Sequence, residues 1–279
     1  MGFRNIIYIL IVFMLLEGCK EKSMVIPIQI DKDLTIIQEE GIRAFTRGKI
    51  YFGHASVGYN IISGMENIKA ANSRFSEINI RELKDSDDVD ALGIYHSVNG
   101  KNGFPKSKID AFKKLLMERG FGNRFDIAFF KFCYVDFNKN SDIEEIISYY
   151  SKGIDEVKKE FPKLKIVHVT TPLYAHAWGL KGSIKNLIYD DISNIKRNEF
   201  NRLVVNKYKH IDPVYDLAKI ESTLPDSSRV TFKYKGEEYF SLAKQYTLDG
   251  GHLNEIGKYY AARELLVVLC NSSMNIDKK

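Results

Sequence analysis

The sequence predicts an α/β fold: a single three-layer α/β/α domain built on a parallel sheet of about five strands. Short apolar runs alternate along the chain with segments whose apolar residues recur at helical spacing. Residues 126–132 are almost continuously apolar, as in a strand buried on both faces. With 279 residues, 44% of them hydrophobic, the chain is long enough for one domain with a substantial core.

Three apolar runs and one segment of alternating polar and apolar residues are predicted as strands, and five longer periodic segments as helices. The strands are residues 49–52, 76–81, 126–132 and 164–169, and the helices are residues 59–68, 106–119, 141–160, 192–208 and 255–269. Residues 84–105 are rich in Asp, Gly and Asn and are predicted as a long loop of the kind that is often functional. Residues 229–234 and 237–242 flank Lys235-Gly236, which predicts a small hairpin inserted before the last helix.

The N-terminus predicts export and lipid attachment. Arg4 precedes an apolar run, residues 6–16, that has the length of a signal-peptide core. The run ends in Leu15-Leu16-Glu17-Gly18-Cys19, which resembles the lipobox of bacterial lipoproteins, although Glu17 is an uncommon spacer. The resemblance implies a signal peptide at 1–18, lipidation of Cys19, a tether at 19–41, the folded domain at 42–271 and a polar tail at 272–279. The alternative is an uncleaved membrane anchor with an incidental cysteine.

That resemblance also implies a place in the bacterial cell envelope. Lys20 does not resemble the inner-membrane retention signal of Gram-negative lipoproteins, so the outer membrane is favoured where the cell has one. The formal net charge of +5 is mild, and basic and acidic residues are interleaved, which argues against a nucleic-acid partner. Cys133 and Cys270 lie in apolar segments and are predicted to be buried thiols. No Cys/His spacing resembles a zinc site, and neither a metal nor a cofactor is predicted.

Two motifs at opposite ends of the domain carry the predicted chemistry. Asp249-Gly-Gly-His252 stands directly before the last helix, where the carboxylate can orient the imidazole and leave Nε2 free as a general base. Ser56 follows the first strand and a glycine turn, at the start of a helix whose N–H groups can stabilise an oxyanion. The alternatives are an ordinary exposed turn for the first motif and a plain helix cap for the second.

Together the two motifs resemble the SGNH/GDSL hydrolase superfamily. Residues 53–56, Gly-His-Ala-Ser, match its first block, and residues 249–257, Asp-Gly-Gly-His-Leu-Asn-Glu-Ile-Gly, match its last block closely. The resemblance implies a flavodoxin-like fold with Ser56, Asp249 and His252 as a catalytic triad. Two departures stand out: the first block has an extra residue and no Asp, and residues 131–136 lack the Asn that normally helps to form the oxyanion hole.

The resemblance also implies where oxyanion donors lie. The backbone N–H of Ser56 is one donor, and Gly100 is the simplest match for the second, with Gly103 a close competitor. Tyr134 O–H, or Asn138, is a candidate replacement for the missing Asn, and Asp136 matches the Asp that usually follows it. His54 and His176 are candidates for substrate contact, whereas His168 is expected to be a hydrogen-bonded core residue.

The function implied is ester hydrolysis by a serine esterase, acting on acyl esters, O-acetyl above all, of an envelope or extracellular carbohydrate. Two alternatives remain open at this point: an O-acyltransferase that uses the same triad, and a non-catalytic glycan-binding lipoprotein on the same fold. The intact Ser, Asp and His favour an enzyme, and the missing Asn favours the binding protein.

Overall fold

Strand β1 (Lys49–His54) lies at the centre of a parallel sheet, and the site forms where this strand ends. The computed structural model describes residues 34–84, 89–176 and 191–274. The sheet order is β2-β3-β1-β4-β5, in which every neighbouring pair is parallel. The other four strands of this sheet are β2 (Ile80–Glu82), β3 (Gly93–Val98), β4 (Ile127–Phe130) and β5 (Lys165–Ile166).

The sheet continues past β5 through one extended segment. β6 (His168–Val169) follows β5 after a single residue and pairs with β7 (Val214–Tyr215), also in parallel. Val167, between β5 and β6, donates its N–H to Ala128 of β4. With β5 and β6 counted as one strand, and β2 as an added edge, the order is that of flavodoxin-like folds, 2-1-3-4-5. The predicted α/β fold with a parallel sheet of about five strands is therefore confirmed.

The helices pack on both faces of this sheet. The described helices are α1 (Glu39–Thr46), α2 (Val57–Ala71), α3 (Pro105–Lys113), α4 (Ile143–Glu160), α5 (Asp191–Tyr208), α6 (Leu217–Ser222) and α7 (Glu255–Ser273). Alternate residues of β1 enter two separate cores: Phe52 joins the core formed with α2 and α7, and Tyr51 joins the core formed with α3, α4 and α5. The three-layer arrangement follows directly from this alternation.

The predicted loop at 84–105 is partly wrong, because β3 lies inside it. The polar residues His96 and Ser97 interrupt the apolar pattern, so the segment does not have the composition of a buried strand. In the structure β3 is bonded on both sides, to β1 and to β2, and Ile94 and Tyr95 are buried. Pairing with two neighbouring strands outweighs the weak local preference of this sequence.

Packed residues and helices extend on both sides of the segment 42–271. Leu34 is fully buried in the core, and α1 begins at Glu39, so packing starts before residue 42. At the other end α7 continues to Ser273, past the predicted boundary at 271. The predicted hairpin is present as β8 (Thr231–Tyr234) and β9 (Glu237–Phe240), which pair in antiparallel register.

Helices α2 and α7 pack against each other very closely. A Cβ added at Gly64 of α2 would lie 2.3 Å from the backbone oxygen of Lys258 in α7, so only glycine permits this approach. Asn67 of α2 donates to Glu255, the first residue of α7, at 3.1 Å. Both helices begin at the edge of the sheet where β1 ends. Close packing at Gly64 therefore fixes how the two helix N-termini lie relative to each other.

Two further predictions concern individual side chains. Cys133 and Cys270 are both buried free thiols, as expected. His168 is fully buried and hydrogen-bonded to Tyr150 and Asp212, which confirms its role in the core. Across residues 34–84, 89–176 and 191–274, no helix has the length and apolar character needed to cross a membrane.

Candidate active site

Ser56 lies at the turn between β1 and α2, in a strained backbone conformation. Its φ of 53° and ψ of −115° lie outside the regions that non-glycine residues usually adopt. A residue held in such a conformation costs on the order of 1–3 kcal/mol, and conformations of this kind are concentrated at functional sites. Its backbone oxygen still accepts the N–H of Tyr59, in the first turn of α2. The serine is thus held at the positive end of the α2 dipole.

The segment 247–254 presents an imidazole directly before α7. Asp249 Oδ1 accepts the backbone N–H groups of Gly251, at 2.8 Å, and of His252, at 2.7 Å. Thr247 Oγ1 donates to the backbone oxygen of His252 at 2.6 Å. Asn254 caps the helix by accepting the N–H groups of its first turn. These bonds fix the shape of the segment from within.

The structure brings the three predicted triad residues together. Ser56 Oγ lies 2.8 Å from His252 Nε2, and His252 Nδ1 lies 2.6 Å from Asp249 Oδ2. Both distances are within hydrogen-bonding range. The arrangement suits a serine whose proton can pass to Nε2 while the carboxylate holds the imidazole in the required tautomer.

The Asp249 carboxyl is kept ionised by its hydrogen bonds. Partial burial alone raises its pKa, but the N–H of Gly251, the His252 imidazole and the N–H of His252 outweigh this effect. The pKa therefore lies well below its usual range. Asp249 can act as the negative partner of a charged imidazole throughout the pH range in which the protein would work.

The candidate oxyanion donors differ in whether their backbone N–H groups are already hydrogen-bonded to another residue. Gly103 donates its N–H to Asp136 Oδ1 at 2.7 Å, so this donor is already engaged. Among the described residues, no acceptor takes the N–H of Ser56 or of Gly100. Gly100 has a φ of 65°, and a Cβ there would lie 2.6 Å from the backbone oxygen of Ser107. Of the two glycines, Gly100 is the one that keeps a donor available.

Of the two candidate side-chain donors, Tyr134 and Asn138, Tyr134 is the one that contacts a triad residue. The Tyr134 ring makes an edge contact with the His252 imidazole, with centroids 5.9 Å apart, and it packs against Gly251. Both residues line a neighbouring cavity, where Asn138 Oδ1 accepts the N–H of Asn140. Tyr134 is therefore the closer of the two to the triad, on the His252 side. Its role as an oxyanion donor stays a prediction.

Asp136 connects the loops that follow β3 and β4. Besides Gly103, it accepts the N–H of Cys133 at 2.6 Å. The ammonium of Lys108 lies 3.8 Å from the same carboxyl and also donates to the backbone oxygen of Asn99. Both charged side chains are fully buried. The sequence did not indicate a role for Lys108, because a lysine in an amphipathic helix is normally exposed.

The structure corrects the prediction that His54 contacts the substrate. Its side chain is completely buried, and its Nε2 lies 3.1 Å from Nδ1 of His96. The ring also packs against Phe52 and Tyr59. His54 points into the packing beneath Ser56 rather than toward a bound ligand, because it ends a strand whose alternate side chains enter the core.

His176 lines a cavity of about 230 Å³ beside the triad. Its Nδ1 lies 2.8 Å from Asp191 Oδ1, and its ring stacks on Phe232. The wall nearest the triad is formed by Tyr134 and Tyr174, and the Tyr174 hydroxyl donates to the backbone oxygen of Asp249. The cavity and the triad therefore share a wall of two tyrosines.

The charged group at the base of this cavity is Arg197. It donates to the backbone oxygen of Tyr134 at 2.8 Å and to Asn194 Oδ1 at 3.0 Å. Asn194 Oδ1 also accepts the N–H of Tyr174. The base of the cavity is thus tied to both tyrosines. Within the described parts of the chain, no group of three or more His, Cys, Asp or Glu side chains is placed to bind a metal ion.

The buried His54 predicts a pH dependence of stability. Burial, followed by the neighbouring His96, lowers the pKa of His54 to about 3, whereas its ordinary value is 6.5. The unfolded chain therefore binds more protons between these values, and the free energy of unfolding falls as the pH is lowered through this window. In His54→Gln, which keeps a side chain able to hydrogen-bond to His96, we expect a slope shallower by up to about 1.4 kcal/mol per pH unit.

Urea unfolding across the same pH window measures this slope. The exposed His210 supplies the matched control, because His210→Gln should keep the wild-type dependence. Equal slopes for His54→Gln and the wild-type protein would contradict the account of the buried imidazole.

The chain matches solved structures, whereas no protein-family model and no curated protein matches it. A GDSL-like lipase from Bacteroides thetaiotaomicron is 13% identical, with a TM-score of 0.46, over 89% of this chain and 95% of its own. A lipase/acylhydrolase from Enterococcus faecalis is 14% identical, with a TM-score of 0.47, over 79% and 93%. A carbohydrate acetylesterase family member from Sinorhizobium meliloti is 12% identical, with a TM-score of 0.47, over 81% and 98%. In the motifs at residues 53–56 and 249–257, the chain resembles the SGNH/GDSL hydrolases.

Proposed function

We propose that this protein is a serine ester hydrolase of the SGNH type. The observation that carries the proposal is the continuous hydrogen-bond chain from Ser56 Oγ through His252 to Asp249. It lies at the carboxyl edge of a parallel sheet, where α/β folds place their sites. The strained backbone of Ser56 and the ionised Asp249 are further support, because neither is needed for a helix cap or an exposed turn.

In the first half of the reaction Ser56 becomes acylated. Ser56 Oγ attacks the ester carbonyl carbon while its proton passes to Nε2 of His252. The negative charge that develops on the carbonyl oxygen is stabilised by the N–H groups of Ser56 and Gly100 and by the N-terminus of α2. When the intermediate collapses, the bond to the alcohol oxygen breaks, and His252 gives its proton to that oxygen. Asp249 stabilises the imidazolium between these two transfers.

In the second half, water replaces the alcohol. His252 takes a proton from the water as its oxygen attacks the acyl carbon, and a second oxyanion forms in the same place. Collapse then breaks the bond between the acyl group and Ser56 Oγ, and Oγ recovers its proton from His252. The products are a carboxylic acid and the free serine, so no cofactor enters the balance.

For the substrate we propose an acyl ester, O-acetyl in particular, of a carbohydrate. The cavity beside the triad combines the rings of Tyr134 and Tyr174 with polar side chains, among them Asn138, His176 and Asp191. Aromatic faces and converging hydrogen-bonding groups suit a sugar ring better than an aliphatic chain. If the sugar binds in this cavity, its ester group would extend past the rings of Tyr134 and Tyr174 toward His252.

We propose a location in the bacterial cell envelope, with a lipid anchor at Cys19 that lies outside the described residues. Leu34, the first described residue, lies far from the site. Its backbone oxygen accepts from Arg74, just beyond the end of α2, whereas Ser56 precedes the start of that helix. A helix of 15 residues is about 22 Å long. A tether that joins the domain at Leu34 would therefore attach near the end of α2 that is opposite Ser56, so that the site stays accessible.

No observation favours transfer of the acyl group over hydrolysis. A purely glycan-binding protein would need neither a strained serine nor a buried network around the loops beside it. The esterase is therefore the function that we propose.

Substitution of Ser56 tests the activity. Ser56→Ala removes the nucleophile, and we expect kcat/KM for p-nitrophenyl acetate to fall by about 10³ or more. Asp249→Asn should lower kcat by roughly 10³–10⁴, because the amide no longer stabilises the charged imidazole. Release of p-nitrophenol by the purified proteins is the measurement. Wild-type rates in Ser56→Ala would refute the assignment.

Filling the cavity tests the substrate class. Ser193 lines the cavity and is half-buried, so Ser193→Trp should obstruct it. We expect KM for an O-acetylated oligosaccharide to rise about tenfold, which corresponds to about 1.4 kcal/mol, while p-nitrophenyl acetate is hydrolysed as before. Ser148→Trp, at an exposed position of α4, is the matched control. Unchanged kinetics toward the oligosaccharide in Ser193→Trp would exclude the cavity as its binding site.

A further inference from the structure

Asn60 joins the nucleophile helix to the segment that carries the histidine. It lies in the first turn of α2, four residues after Ser56. Its Oδ1 accepts the backbone N–H of Leu253 at 3.1 Å. Leu253 directly follows His252, so this bond lies one residue from the general base on one side and four residues from the nucleophile on the other.

Among the described residues, and apart from the bond between Ser56 and His252 themselves, the other hydrogen bonds of the histidine segment do not reach α2. The Tyr174 hydroxyl and the Ala175 N–H, both in the loop after β6, donate to the backbone oxygens of Asp249 and Gly250. Thr247 and Asp249 bond to groups within the segment itself. They set the shape of the segment, but they would be kept if it moved as a unit. The imidazole needs such support, because 46% of the His252 side chain is exposed and its ring is packed only in part.

The chemistry of the contact fixes the orientation of the amide. A backbone N–H can only donate, so the Asn60 atom that faces Leu253 must be the oxygen. The Leu253 side chain is buried, with 4% exposed, which holds the N–H in place. The bond therefore joins a well-packed backbone group to the first turn of the helix that begins at the nucleophile.

We propose that Asn60 is a positioning residue that keeps His252 Nε2 within hydrogen-bonding reach of Ser56 Oγ. Its effect on turnover depends on the proposed esterase function, whereas its effect on the geometry does not. A displacement of about 1 Å between reacting groups can reduce a rate by as much as 10². A hydrogen bond that prevents such a displacement can therefore affect turnover, although Asn60 touches neither the substrate nor the reacting atoms.

The chain offers a matched control on the same helix. Asn67, also on α2, donates to Glu255, the first residue of α7, whereas Asn60 bonds to Leu253 in the segment before that helix. A role in general helix docking would make Asn60→Ala and Asn67→Ala equally harmful. A positioning role makes only Asn60→Ala harmful to turnover, while Asn60→Asp, which keeps an acceptor oxygen, restores it.

Kinetics supply the first test. With p-nitrophenyl acetate, Asn60→Ala should lower kcat about 10- to 100-fold with KM unchanged, because binding is intact and proton transfer is misaligned. Asn60→Asp should recover most of kcat, and Asn67→Ala should match the wild-type protein. Equal losses in the two alanine variants, or a normal kcat in Asn60→Ala, would overturn the proposal.

Nuclear magnetic resonance supplies a second test that does not need turnover. In Asn60→Ala the Leu253 amide should exchange with solvent at least about tenfold faster, and the ¹⁵N shift of His252 Nε2 should lose the signature of its bond to Ser56. In Asn67→Ala both should stay as in the wild-type protein. An unchanged Nε2 shift in Asn60→Ala would refute the positioning role even if no ester were hydrolysed, and so it separates this proposal from the function itself.

Discussion

The close approach of α2 and α7 is the contact on which the site depends. Ser56 and His252 are 196 residues apart in the chain; Ser56 directly precedes α2, and His252 lies three residues before the first residue of α7. A side chain at Gly64 would collide with the backbone of α7 at Lys258, so the spacing of the helices is set by backbone contact. Rigid helices carry this spacing to their N-termini, where a hydrogen bond of 2.8 Å joins the two side chains. The two N-termini also direct their positive ends to the same edge.

The loops that follow β3 and β4 are hydrogen-bonded to buried charged side chains. Asp136 fixes the N–H groups of Gly103 and Cys133, and Lys108 balances its charge. Lys131, at the end of β4, is also fully buried and donates to the backbone oxygen of Phe132. Buried ion pairs add little net stability, because desolvation offsets their attraction. What Asp136 provides here is a hydrogen bond to each of the loops after β3 and β4.

Among the described residues, the other buried carboxyl is that of Glu221, on the side of the cavity. Burial raises the pKa of Glu221 to about 8, and its Oε2 accepts the N–H of Leu173 at 2.7 Å. Leu173 directly precedes Tyr174, whose ring forms the wall between cavity and triad. Polar groups beneath the site thus support the aromatic wall in the same way that Asp136 supports the loops beside Ser56.

Much of the fold and the triad could be predicted because their causes are local. The alternation of apolar runs and periodic segments indicated the layers, and Asp249, His252 and Asn254 lie within six residues of one another. β3 was missed because its burial comes from two neighbouring strands rather than from its own sequence. Lys108, Asn60 and the burial of His54 depend on contacts between distant segments, which no spacing in the sequence reveals.

The most direct test of the central claim is covalent labelling of Ser56 by a fluorophosphonate, followed by mass spectrometry of the peptides. Such a probe requires a serine made nucleophilic by an adjacent base. We expect a single phosphonylated residue, Ser56, in the wild-type protein and no labelling in His252→Ala. Absence of label from the folded wild-type protein, or label that persists at Ser56 without His252, would contradict it.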